Sequence, residues 1–129
     1  MKQAGIKVLI VDDEVALANT LAQRLKMREL QVEIAYNGEE ALSRLKQEEP
    51  DVMVLDLRMP GMDGMDVLKE VKKTHPHIQV IILTGHGTDK EEEEAKILGG
   101  FCFLKKPAEI ETLAAKIKGA FSEKCAKTQ

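Results

Sequence analysis

The sequence predicts an α/β domain in which five parallel strands alternate with five helices and form a three-layer sandwich. Three observations carry that expectation. Five short runs of strand character recur along the chain, at residues 6–11, Gln31–Ala35, Val52–Leu55, 80–83 and 101–104. Segments with apolar residues at helical spacing lie between them, joined by connections too short for anything but direct crossovers. Because such crossovers are right-handed, the carboxyl ends of all the strands fall on one edge of the sheet, and that is where the polar residues of this chain gather.

The first run stops at Asp12-Asp13-Glu14. Leu17, Leu21 and Leu25 then recur every four residues over residues 14–27, an amphipathic helix with Arg24, Lys26 and Arg28 near its negative end. The Gln31–Ala35 segment is half polar, the pattern of a sheet edge. Asn37-Gly38 reads as a turn, and Ala41, Leu42 and Leu45 mark a second helix that ends before Pro50. Val52–Leu55 is apolar throughout, as in a parallel strand covered on both faces, and it ends at Asp56. Pro60-Gly61 turns the chain, and Asp63 is placed to cap a helix carried by Met65, Val67, Leu68 and Val71.

His75-Pro76 breaks that helix, and the run at residues 80–83 ends at Thr84-Gly85. Residues 88–98 read as the fourth helix. Thr88 and Glu91 have capping-box spacing, and Gly99-Gly100 supplies the stop. The acidic stretch 89–94 complements the dipole of that helix; the alternative is a recognition patch for a basic partner. The fifth strand, 101–104, ends at Lys105-Lys106-Pro107, with Cys102 expected in the core. Ile110, Leu113, Ile117 and Phe121 trace the buried face of the last helix, so the domain is expected over residues 1–121. Residues 122–129 are polar and read as a frayed tail or a linker stump.

Composition narrows the function classes. A chain of 129 residues with 43% hydrophobic and 32% charged residues fits one soluble domain able to bury its own core. A net charge of −3 with scattered Lys and Arg argues against direct nucleic-acid binding by this chain. The aliphatic runs are far shorter than a membrane span, and residues 1–3 lead into an apolar run too short for a signal peptide, so the expected location is cytoplasmic. Cys102 and Cys125 are expected to be reduced thiols, and His75, His77 and His86 form no metal pattern with them.

Successive strand ends therefore carry Asp12-Asp13, Asp56, Thr84 and Lys106. Taken singly, Asp56 reads equally well as a residue that opens a turn; five polar residues at four strand ends outweigh that reading. Three clustered carboxylates repel one another unless a cation sits among them. Oxygen ligands in an incomplete set favour Mg²⁺. A carboxylate beside Mg²⁺ is a nucleophile toward phosphorus. Lys106 suits the phosphate as a point charge, and Thr84 offers its oxygens a hydroxyl.

These residues carry a family resemblance over about residues 6–121. Val-Asp-Asp-Glu at 11–14, Leu-Asp-Leu-Arg-Met-Pro-Gly-Met-Asp-Gly at 55–64, Leu-Thr-Gly at 83–85 and Phe-Leu-Lys-Lys-Pro at 103–107 are similar to the motifs of response-regulator receiver domains of two-component systems. The resemblance implies a flavodoxin-like sheet of order 2-1-3-4-5. It implies that Asp56 accepts a phosphoryl group from a phosphohistidine on a sensor histidine kinase or phosphotransfer protein. Asp13, Asp56 and the backbone carbonyl of Arg58 would hold Mg²⁺, with Asp12 helping through water. Lys106 would pair with the phosphate, approaching past a cis Lys106–Pro107 bond.

The resemblance further implies a switch in which Thr84 moves toward the phosphoryl group and Phe103 rotates inward. Phe103 also reads as a plain core residue. The surface that responds would be the fourth helix, fifth strand and fifth helix, serving a C-terminal output domain or a homodimer. The stretches at 84–87 and 103–107 are similar to receivers of nitrogen-regulatory activators. The chain reads either as a stand-alone receiver or as the amino-terminal part of a longer regulator.

Such a domain catalyses only its own phosphorylation and dephosphorylation. Arg58 and His86 flank the acceptor, where bulk and positive charge would alter the lifetime of the acyl phosphate. Two rival functions remain in view. An aspartyl phosphohydrolase of the haloacid-dehalogenase kind needs Asp-x-Asp after its first strand, whereas here Asp12 and Asp13 are adjacent. A receiver-like binding module without phosphoryl chemistry is disfavoured by the intact set of five polar residues.

Overall fold

The computed structural model of the protein describes residues 5–85 and 87–127. In chain order the elements are β1 (Lys7–Val11), α1 (Val15–Lys26), β2 (Gln31–Ala35), α2 (Gly38–Gln47), β3 (Val52–Leu55), α3 (Gly64–Thr74), β4 (Gln79–Thr84), α4 (Asp89–Ile97), β5 (Cys102–Lys105) and α5 (Ile110–Lys127). The strands form one parallel sheet in the order β2-β1-β3-β4-β5, the flavodoxin-like order expected.

Alternation along each strand divides the core in two. Val8, Ile10, Val52, Val54, Ile81 and Leu83 face α1 and α5, where Leu25, Leu113 and Ile117 meet them. Leu9, Val11, Met53, Leu55, Val80 and Ile82 face the other side, against Ala41 and Leu45 of α2, Val67, Leu68 and Val71 of α3, and Ala95 of α4. Burial of β3 and β4 on both faces explains why those two strands read as unbroken apolar runs.

Local signals place the helix starts. The Asp63 side chain accepts the Asp66 N–H at 3.0 Å and opens α3. Thr88 and Glu91 form the expected reciprocal box at the start of α4, which stops at Gly99 with φ 99°. Asn37, read as a turn residue, is the N-cap of α2: its carbonyl oxygen accepts the Glu40 N–H at 2.7 Å, and Glu40 returns a carboxylate to the Tyr36 N–H at 2.8 Å.

Two expectations need correction. The last helix does not end at Phe121 but continues to Lys127. Its later turns are polar in sequence, yet Lys124 reaches Asp51 at 2.9 Å, and Asp51 also accepts the Lys7 N–H at 3.0 Å. One turn earlier, the buried Gln79 amide donates to the Ala120 carbonyl at 3.1 Å. These polar ties fasten α5 to the amino edge of the sheet, a contact that apolar periodicity cannot register. The second correction concerns β5. It is an edge strand, so Cys102, Phe103 and Leu104 are only half buried instead of enclosed on both sides. Among the described residues, no helix is long and apolar enough to cross a membrane.

Candidate functional site at the carboxyl edge of the sheet

Strand register assembles the site. Val11 pairs with Leu55 and Thr84 pairs with Lys105, so the next residues emerge side by side. The Asp12 N–H donates to Ala35 at 3.1 Å, the Asp56 N–H to Val11 at 3.0 Å and the Lys106 N–H to Thr84 at 2.9 Å, carrying the ladder one residue past each strand. Asp12, Asp56 and Lys106 thus leave from backbone that is itself hydrogen-bonded, which limits their freedom before any ligand arrives. The Lys106–Pro107 peptide is cis.

Asp12, Asp13 and Asp56 offer carboxylate oxygens that all lie within 4.8 Å of one another. Asp12 and Asp56 are 3% and 5% exposed, so two of the three acids are buried with little water to screen them. Lys106 supplies the compensating charge. Its ammonium donates to Asp12 Oδ2 at 2.7 Å and Glu14 Oε1 at 2.8 Å, and stands 3.7 Å from Asp56 Oδ2. Burial opposes the Lys106 charge, but its hydrogen bonds to Asp12 and Glu14 outweigh that and raise its pKa above the ordinary lysine value.

Burial likewise pushes the Asp56 carboxyl above the ordinary carboxylate value. Lys106 pulls it back, Asp12 pushes it further up, and hydrogen bonding from the Thr84 hydroxyl and the Arg58 backbone N–H favours the charged form. An oxygen-only cluster of three acids, two of them buried, has the donor chemistry of a hard divalent cation. The fit is one in which the cation takes over charge compensation now provided by Lys106.

A cavity of about 220 Å³ opens in front of Asp56, lined by Asp13, Glu14, Asp56, Arg58, Gly85 and Lys106. A larger one, about 290 Å³, lies at the opposite edge between α2 and the starts of β1 and β2. Its lining charges pair among themselves, Lys7 with Glu48 at 2.6 Å and Arg44 with Glu33 at 3.4 Å, and among the described residues no acidic cluster faces it. The smaller cavity holds the reactive groups.

All five residues expected at the strand ends are brought to this edge. Thr84 is fully buried, and its hydroxyl is already directed to Asp56. Phe103 lies behind it: a Cβ built on Gly87 would come within 2.3 Å of Phe103 Cζ and 3.0 Å of Thr84 Cγ2, so ring, glycine and threonine methyl form one packed group. Gly64 has a comparable role at the acceptor, since a Cβ there would lie 2.2 Å from the Asp56 carbonyl oxygen. Absence of a side chain lets α3 begin directly against the acceptor backbone. His86, expected to flank the opening, lies outside the described residues.

Sequence reasoning passed over two members of the site. Glu14 follows the acidic pair and shares Lys106 with Asp12; its place in the run 12–14 was the available signal. Glu91 was read only as a capping residue, and its oxygen also receives the Arg58 guanidinium at 3.0 Å. Nothing in the spacing of residues 58 and 91 announces that contact.

Comparison with known proteins matches residues 8–118 to the response regulator receiver domain. The chain is 38% identical over 120 residues to the DNA-binding transcriptional regulator NtrC of Salmonella typhimurium, a match over 93% of this chain and 25% of that protein. It is 32% identical over 114 residues to the transcriptional regulatory protein TrcR of Mycobacterium tuberculosis, covering 88% of this chain and 44% of the relative. The chain thus spans a quarter to under half of these curated relatives. Among solved structures it is similar to a CheY-like receiver domain protein from Methanospirillum hungatei, with TM-score 0.92, 27% identity, and coverage of 95% of this chain and 98% of that one. A receiver domain protein from Clostridium thermocellum gives TM-score 0.89 at 34% identity, covering 94% and 98%.

Proposed function

This chain belongs to the response regulator receiver family, and from that premise we propose that it is a phospho-accepting signalling switch with Asp56 as the acceptor. The observation that carries the reading is the meeting of Asp12, Asp13 and Asp56 within 4.8 Å, with Lys106 among them. The donor is a phosphohistidine of a sensor histidine kinase or phosphotransfer protein. An Asp56 carboxylate oxygen attacks phosphorus, the O–P bond forms as the P–N bond breaks, and the electron pair returns to the imidazole. Asp12, Asp13, Asp56 and the Arg58 carbonyl are the groups that would hold Mg²⁺. When bound, Mg²⁺ neutralises charge on the transferring group.

Lys106 turns from Asp12 and Glu14 to a phosphoryl oxygen, and the Thr84 hydroxyl donates to another. Any inward movement of Thr84 loosens its contact with Phe103, through the group formed around Gly87. The change is read out on the face of α4, β5 and α5. That face controls an output domain or a second copy, in keeping with the transcriptional regulators that this chain resembles over part of their length. The receiver unit runs through the whole of α5 and works in the cytoplasm beside its kinase.

Intact mass after incubation with acetyl phosphate tests the reading. One phosphate is expected on the wild type with Mg²⁺, none without it, and none on Asp56→Asn. If the wild type neither takes up phosphate nor binds beryllofluoride with Mg²⁺, the acceptor reading fails and a plain binding module takes its place.

A further inference from the structure

We propose that Arg58 is a second phosphoryl-positioning residue, stored on the cap of α4 until a phosphoryl group arrives. The proposal rests on the acceptor reading above. Arg58 has two surroundings of opposite consequence. It forms part of the wall of the cavity before Asp56, together with Lys106. Its Nη2 also donates to Glu91 Oε1 at 3.0 Å. That same oxygen accepts the Thr88 backbone N–H at 3.1 Å, while Thr88 Oγ1 accepts the Glu91 N–H at 3.1 Å. A single carboxylate oxygen therefore closes the helix cap and holds the guanidinium.

The tie to Glu91 is a weak one. The Arg58 and Glu91 side chains are 51% and 23% exposed, and an ion pair so open to water contributes little. A phosphoryl group on Asp56 brings close to two negative charges and three acceptor oxygens, which a guanidinium meets as a rigid fork. Lys106 cannot serve that group alone without leaving Asp12 and Glu14, to which it now donates. Arg58 is the cation that leaves the weaker partner.

Its departure has a mechanical consequence. Ala95 is the buried residue of α4, so this helix has a small apolar hold on the body of the domain. The Arg58–Glu91 pair is a direct tie from the acceptor loop to its first turn. Exchange of Arg58 onto the phosphoryl group releases that tie and leaves the Thr88–Glu91 box to hold the helix start. Occupancy of the site is thus reported to α4 by a path separate from Thr84 and Phe103.

The test is a beryllofluoride titration with saturating Mg²⁺, followed by amide NMR, on wild type, Glu91→Gln, Arg58→Gln and the double variant. Glutamine also closes a capping box, so Glu91→Gln removes the competing charge and keeps the cap. Glu91→Gln is expected to bind about threefold tighter and Arg58→Gln about fivefold weaker, with the Glu91 effect absent once Arg58 is gone, the coupling of residues that share a partner. The Thr88 amide is expected to shift on saturation in wild type and to shift less in Arg58→Gln. An equal effect of Glu91→Gln in both backgrounds, or no effect at all, overturns the exchange while the acceptor reading stands. No binding to the wild type overturns both. Thermal melts of the variants separate these outcomes from misfolding.

Discussion

Lys106 donates its ammonium to Asp12 at 2.7 Å across 94 positions of sequence. The contact sits inside the acidic cluster, so the chain carries an internal cation where the site's chemistry calls for a divalent one. A divalent cation held by Asp12, Asp13 and Asp56 would meet the Lys106 ammonium at the same carboxylates.

That competition has a measurable sign. Lys106→Met removes a positive charge a few ångströms from the metal position and is expected to tighten Mg²⁺ binding about tenfold at low ionic strength. Phosphoryl uptake is expected to fall in the same variant, because the ammonium that meets the phosphate is gone. Calorimetric titration with Mg²⁺ reads the first effect and intact mass the second. Unchanged Mg²⁺ affinity would show that Lys106 does not compensate the acidic cluster.

Stability should follow the raised pKa of Asp56. Burial lifts its carboxyl above the ordinary carboxylate value. Between the unfolded and folded values the native state binds the extra proton, so stability falls as pH rises through that window. Asp56→Asn is therefore expected to melt about 3 °C above wild type at pH 7 without Mg²⁺, and the gain to vanish below about pH 4. Mg²⁺ at about ten times its Kd adds about 1.4 kcal/mol to the wild type and less to the variant. A melting advantage that persists at low pH would assign it to something other than the Asp56 charge.

Close approach at Gly64 gives a third expectation. A methyl there would lie 2.2 Å from the Asp56 carbonyl oxygen and 2.6 Å from Leu57 Cα, both backbone atoms with little room to yield. Gly64→Ala is expected to lower stability by about 1–3 kcal/mol, the cost of overpacking, and to weaken beryllofluoride binding by displacing the acceptor loop. Urea denaturation gives the first value. A variant as stable as wild type would mean that α3 can start farther from the acceptor without penalty.

The central layer of this fold was readable because β3 and β4 are buried on both faces and announce it with unbroken apolar runs. Helix starts were readable where one residue caps another three positions on, as at Asp63 and Thr88. Asn37 has the same chemistry, but its signal is ambiguous because Asn-Gly is also a strong turn signal. The later turns of α5 escaped for a different reason. Their hold is the Lys124–Asp51 pair, a contact between polar residues 73 positions apart.

By itself the sequence determined which polar groups end the strands and which edge of the sheet carries them. Strand ends are set by local runs of apolar residues, and right-handed crossovers send all those ends the same way. Only the tertiary structure decided which charges meet. That Lys106 rests on Asp12 and Glu14, that Arg58 rests on Glu91, and that Phe103 leans on Gly87 are facts of side-chain reach across neighbouring strands and loops. Apolar burial is periodic and leaves its record along the chain. A polar contact between distant segments is fixed by distance and desolvation at the folded surface, and leaves none.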